Sequence, residues 1–379
     1  MKKTIKYTFL VLIGAGLMSG FSCKKKKKKD EPVLVTCDYS VTNMLSGIGN
    51  NIIIPRFANL TQTTLALKTE AASFVSQIDS VSLINLQKKF NTAYLSYQKV
   101  SMFNFGPALS NGFNMRERMN VFPVSLATYD MYMNNSNTQP AQNINATVGF
   151  PAIEYLIFGN VDSVLAEFTT GPQAVNRKTY LVNLTDYLHQ LSSTVYNAWI
   201  SSGGNYIATF VADGGNSVGS PLSLLVNELN FDFETLKNFK YKIPLGKFDA
   251  GIVQPDKVEG YYSGTSVALS AANADAIYKL YLGVAESGTD GEGLHDYLIC
   301  LDAYYQTEDV SLASTINSQL ALIYSKILAI PDPMSATLYS NKQVIDDAHT
   351  EMQIAVPLIK REMTAAMGVQ ISYTDNDGD

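Results

Sequence analysis

Apolar residues recurring every three or four positions constrain this chain more than any other feature. Near the C-terminus Ile345, Ala348, Met352, Ala355, Ile359, Met363 and Met367 hold that spacing for about six turns. The spacing lines up one face of a helix, whereas a half-buried strand needs alternation at every second residue. Pro357 falls inside the run and predicts a kink, because it lacks an N–H and its ring crowds the preceding turn. Gly368 supplies a stop. Leu83, Leu86, Phe90, Tyr94 and Tyr97 repeat the pattern, with Asp79 or Ser80 as the N-cap. Further helices are predicted over 58–78, 177–200, 220–240, 266–282 and 308–329, and strand-like alternation is scarce. The fold class is therefore all-α.

The clearest interruption is "SSGGNYIATFVADGGNSVGSP", residues 201–221, rich in Gly, Ser and Asn and closed by a proline. It divides the helical pattern into halves of similar size, and 379 residues with 46% hydrophobic side chains suffice for two cores. The expectation is two helical-bundle domains packed against each other, at 40–210 and 211–379, with their interface as the default place for a ligand site.

Ahead of these halves, Lys2, Lys3 and Lys6 precede the apolar run "YTFLVLIGAGLM", which is too short to span a bilayer. "SGFSC" follows, so residues 1–22 read as an export signal whose end resembles a lipobox, with Cys23 as the acylated mature N-terminus. Residues 23–39, with six consecutive lysines, read as a solvated tether. The expected location is the bacterial cell envelope, where a lipid anchor at Cys23 makes the membrane a partner; the outer membrane is the expected site, with the periplasmic or surface face left open. Of the 28 basic and 34 acidic residues, nine lysines and Asp30 lie within the first 30 positions, leaving 19 against 33. Such a surface repels phosphate backbones, so no nucleic-acid partner is expected. Cys37 and Cys300 are the only other cysteines, and their pairing is left open by the sequence.

Several short stretches carry a family likeness. "GFPAIEYLIFG", residues 149–159, resembles the signature of the imelysin family, in which Gly-x-His-x-x-Glu opens an apolar helix. Gly149 and Glu154 match, but Pro151 occupies the histidine position. "YLSYQKVSMFNFGPA" resembles the family's aromatic helix ending in Phe-Gly-Pro, here Phe105, Gly106 and Pro107. "NVFP" stands where many members have Asp-x-Trp-Pro, so Asn120 and Phe122 depart from the pattern. "VEGYYSGTS" supplies Glu259, Ser263 and Ser266 of a Glu-x-x-x-Ser-x-x-Ser run, and "GLHDYL" matches at Gly293, Leu294, Asp296 and Leu298. The ending, "VPLIKREMTAAMGVQISYTDNDGD", is similar to that of Bacteroidetes lipoproteins of this family. The likeness covers roughly residues 40–379. It implies two helical bundles, a signature near their interface, an envelope lipoprotein classed with metallopeptidases, and a link to iron uptake.

The residues themselves weigh against hydrolysis. Zinc hydrolases use three protein ligands and an open position, yet proline offers no donor atom. His189, His295 and His349 show no paired spacing. His189 reads as an interfacial helix residue, and His349 as solvent-facing beside Asp346 or Glu351. No nucleophile elbow or P-loop occurs, and the tail "DNDGD" reads as solvated rather than as a calcium loop. Pro151 fits the first helical position and Glu154 the positive end of the helix dipole. Ser263 or Ser266 suits a helix cap or a pocket wall. The resulting expectation is a non-catalytic protein that binds a ligand or metal in an interface pocket, with an imelysin-type metallopeptidase as the alternative. Gly149, Glu154, Glu259, Ser263 and Ser266 are the candidate ligand-binding residues, Glu154 being the foremost metal candidate. No cofactor is identified; a metal ion is left open, zinc is disfavoured, and iron-uptake proteins or a small ligand are the expected partners.

Overall fold

The periodic segments fold as helices, and their ends are set by local chemistry. The computed structural model describes residues 37–110, 113–307 and 309–373. The export signal, Cys23, the lysine run and the acidic tail from Thr374 lie outside the described residues.

The Ser40 side chain caps α1 (Val41–Ile48), which passes through a π-helical turn into α2 (Ile54–Ser76). Asp79 and Ser82 form a reciprocal capping box at the start of α3 (Ser80–Gln98). After a 3-10 turn at Ser101–Phe103, β1 (Leu109–Ser110) pairs antiparallel with β2 (Phe113–Asn114). Short helices follow: α4 (Met115–Met119), α5 (Leu126–Asn134), α6 (Gly149–Ile157) and α7 (Val161–Thr169). The long α8 (Ala174–Trp199) and the single turn of α9 (Tyr206–Phe210) complete the first half.

The second half begins where Ser220 caps α10 (Pro221–Thr235), which winds on as a π-helix over Leu236–Lys242. It continues through α11 (Ser266–Leu282), α12 (Leu294–Cys300), α13 (Leu312–Leu328), α14 (Met334–Ser340) and α15 (Lys342–Val356). At Pro357 the predicted kink takes a specific form: the chain widens into a π-helix over Pro357–Met363 before α16 (Thr364–Met367). Wider winding relieves the clash that a proline ring makes with the α-helical turn before it. Gly368, at φ +65°, ends the run as expected.

In the first half α2 packs between α3 and α8, and in the second α13 packs between α11 and α15. The halves meet through α3 against α11 and α10 against the 101–103 turn. Every member of the two apolar stripes is at most 2% exposed, and one continuous hydrophobic cluster runs through both halves. The described residues make one compact unit. Buried Arg56 of α2 fastens the halves further: it donates to the Ala276 carbonyl of α11 at 3.2 Å and pairs with Glu286 at 3.0 Å. Cys37 and Cys300 form a disulfide across 263 positions, with Cα atoms 5.2 Å apart. Beside it Tyr39 stacks on Tyr297 and donates to the Gly293 carbonyl.

Candidate functional site

The signature segment builds its site from a tight backbone approach. Gly149, at φ +80°, starts α6 so close to α4 that an added Cβ would lie 2.3 Å from the Met119 carbonyl oxygen. Only glycine fits both the conformation and the space. Pro151 is the third residue of α6 rather than the first, as its sequence position had suggested. Its missing N–H is harmless there too, because the first four N–H groups of a helix have no internal partner.

One turn on, Glu154 is 3% exposed. Its Oε1 accepts from the Ser263 backbone N–H at 2.9 Å and from Ser263 Oγ at 2.5 Å. Burial pushes its pKa up to about 7, and the nearby Glu259 charge adds to that rise, while the two hydrogen bonds from Ser263 oppose it. Glu154 lies on one wall of a cavity of about 260 Å³ that also includes Pro151, Lys257, Tyr261 and Tyr262.

Glu259 belongs to a different network. It is 1% exposed, and its Oε1 accepts from Asn120 Nδ2 at 2.6 Å, Gln98 Nε2 at 2.8 Å and Tyr94 Oη at 3.3 Å. Lys240 Nζ pairs with its Oε2 at 3.0 Å and donates to Gln98 Oε1 at 2.6 Å. Gln98, Asn120 and Lys240 face a second cavity of about 180 Å³, and Phe122 borders both cavities. Glu259 therefore stands behind the wall and fixes the side chains that face inwards.

The expected serine caps are not used. The first N–H groups of α11 are held by Asp332 instead, at 2.9 Å to Val267 and 3.1 Å to Ala268. A carboxylate is the stronger acceptor at the positive helix end, and this leaves Ser263 to Glu154. Ser266 is buried, and its Oγ has no hydrogen-bond partner among the described residues. Two of the sequence candidates, Glu154 and Ser263, thus meet in the structure. Gln98, Asn120, Tyr94 and Lys240 were not among those candidates. The available signal was a polar Gln98 beside the apolar stripe of α3, at positions otherwise given to Tyr94 and Tyr97.

The histidines stay apart. His189 is half-buried, with burial lowering its pKa. His295 approaches Asp296 at 3.8 Å and sets its ring edge-on to Tyr281. His349 does not face solvent as expected: it lies one turn after Ile345 on the core side of α15, is 0% exposed, and neither ring nitrogen has a hydrogen-bond partner among the described residues. Burial lowers its pKa to about 4. No group of three His, Cys, Asp or Glu among the described residues is placed to hold a metal ion. The catalytic metal implied by a metallopeptidase classification does not fit: Pro151 has no donor, Ser263 occupies Glu154 Oε1, and Glu259 is saturated by Lys240 and three neutral donors.

Comparison with known proteins agrees with this architecture. The fold is similar to the crystal structure described as an iron-regulated protein A precursor from Parabacteroides distasonis ATCC 8503, at TM-score 0.71 and 14% identity, covering 86% of this chain and 95% of that one. It is also similar to an imelysin-like protein from Psychrobacter arcticum 273-4, at TM-score 0.67 and 16% identity, covering 88% and 97%. At such identities the likeness establishes the fold alone. No curated protein matches the sequence. The profile of imelysin, peptidase family M75, matches residues 53–356, and the chain belongs to the imelysin family.

Proposed function

We propose that this protein is a non-catalytic envelope lipoprotein that binds a ligand in the Pro151–Glu154 cavity and serves iron acquisition. The observation that carries the reading is the replacement of the signature histidine by Pro151, with Glu154 turned to Ser263. A lone carboxylate is a poor transition-metal site at neutral pH. A half-protonated one that also lines a cavity is suited to hydrogen-bonding a small polar ligand. The iron link is supported by the iron-regulated relative from Parabacteroides distasonis. Anchoring at Cys23 is supported by the lipobox-like sequence, and the Cys37–Cys300 disulfide suits an oxidising envelope.

The test uses the mature protein purified from membranes, with its N-terminal mass, its metal content and its cleavage of peptides measured with and without chelator. The expected outcome is a diacylglyceryl mass at Cys23, no stoichiometric zinc and no chelator-sensitive cleavage. Pro151→His should raise metal uptake only if the ancestral geometry survives. Stoichiometric zinc that disappears in Glu154→Ala would favour the metallopeptidase and overturn this reading.

A further inference from the structure

The second cavity has its own chemistry, independent of the signature. Its wall carries four aromatic side chains, Tyr97, Phe122, Phe231 and Phe239. Arg116, Lys240, Asp232 and the exposed Glu117 provide the charge. Both cations are already committed. Arg116 holds Glu228 at 2.6 Å and lies over the Phe231 ring at 4.4 Å, and Lys240 holds Glu259 at 3.0 Å.

Asp232 is different. It is 2% exposed, and among the described residues its Oδ2 accepts from neutral donors, Ser101 Oγ at 3.0 Å and Asn273 Nδ2 at 2.7 Å. Among the described residues no cation makes ion-pair contact with it. Burial holds Asp232 above the ordinary carboxylate range, against the pull of Arg116 and Lys240. Around this cavity two buried carboxylates, Asp232 and Glu259, and the half-buried Glu228 thus face two cations. Removing a carboxylate from water without a counter-charge is costly. A bound cation would offset that cost, and aromatic faces attract cations through their quadrupoles.

We propose that this cavity binds an organic ammonium ion on an aromatic body, with the ammonium against Asp232 and the ring between Phe122, Phe231 and Phe239. The site lies beyond the Pro151–Glu154 cavity, so its failure leaves the metal and cleavage results untouched.

Benzylamine, benzyl alcohol and benzoate have the same ring and differ in the charge of the head group. Calorimetric titration of the mature protein with each should find benzylamine bound about tenfold or more tighter than the alcohol, with benzoate weakest. Asp232→Asn should abolish the preference for the amine. Because that change also touches a buried network, Phe239→Ala is the safer companion: Phe239 is 45% exposed at the cavity mouth. It should weaken benzylamine about threefold or more with unchanged thermal unfolding. Equal or tighter binding of the alcohol or of benzoate would overturn the proposal. So would no binding of benzylamine, or benzylamine affinity unmoved by Phe239→Ala.

Discussion

Glu154 and His349 are both buried in their neutral forms, and they pull stability in opposite directions with pH. The folded Glu154 carboxyl keeps its proton up to about pH 7, whereas the unfolded chain releases it near 4.5. Stability therefore falls as pH rises through that window. The folded His349 stays neutral down to about pH 4, whereas the unfolded chain takes up a proton near 6.5. Stability therefore falls as pH drops through that window. Each proton contributes a slope of about 1.4 kcal/mol per pH unit, so between about 4.5 and 6.5 the two slopes cancel. Glu154→Gln should unmask a stability that climbs with pH relative to the parent, and His349→Phe one that declines. Urea unfolding of all three proteins at pH 4.5, 5.5 and 6.5 checks this, and a pH-independent offset in both variants would refute it. Neither burial was legible in the sequence. Residue 349 sits one turn from Ile345 and beside Ala348, on the edge between the stripe and solvent, and only the neighbouring helices decide which way such a position turns.

Helices were the most legible level, because a stripe such as Leu83, Leu86, Phe90, Tyr94 and Tyr97 states both the element and its buried face. Predicted spans 266–282 and 308–329 are observed as Ser266–Leu282 and Leu312–Leu328. What local reading lacked was the cap of α11, because its acceptor lies more than sixty positions downstream at Asp332. Asp332→Ala leaves two helix N–H groups without their acceptor and should destabilise the protein by about 1–2 kcal/mol. Asp332→Asn should recover much of the loss. Thermal unfolding of both variants tests this, and equal losses would mean that the cap is not the cause. The same distance effect hid the partners of Glu259, since Tyr94, Gln98, Asn120 and Lys240 come from both sides of the glycine-rich interruption. A sequence displays periodicity within an element. It does not display which polar groups separate elements bring together.

Across the molecule, one core cluster and the bridge from Arg56 to Ala276 and Glu286 tie the two halves together. The disulfide adds a covalent closure over 263 positions. Cross-linking so long a loop restricts the unfolded chain severely, and loss of a native disulfide typically costs about 2–5 kcal/mol. Cys37→Ser should lower stability by that amount, matching the parent under reductant. Chemical unfolding with and without dithiothreitol measures it; a parent insensitive to reductant would show that the bond contributes little.

The same bond determines how the fold would bear a mechanical load. Any force applied through the chain ahead of Cys37, as the proposed lipid tether would apply it, enters the fold at that residue. There it passes through the sulfur atoms to Cys300 and the end of α12. Without the bond, the pull would fall first on the eight-residue helix Val41–Ile48, which could be peeled away turn by turn. With it, the load divides between the two halves at the point of entry, and extraction must shear packed helices before the first turn can unwind.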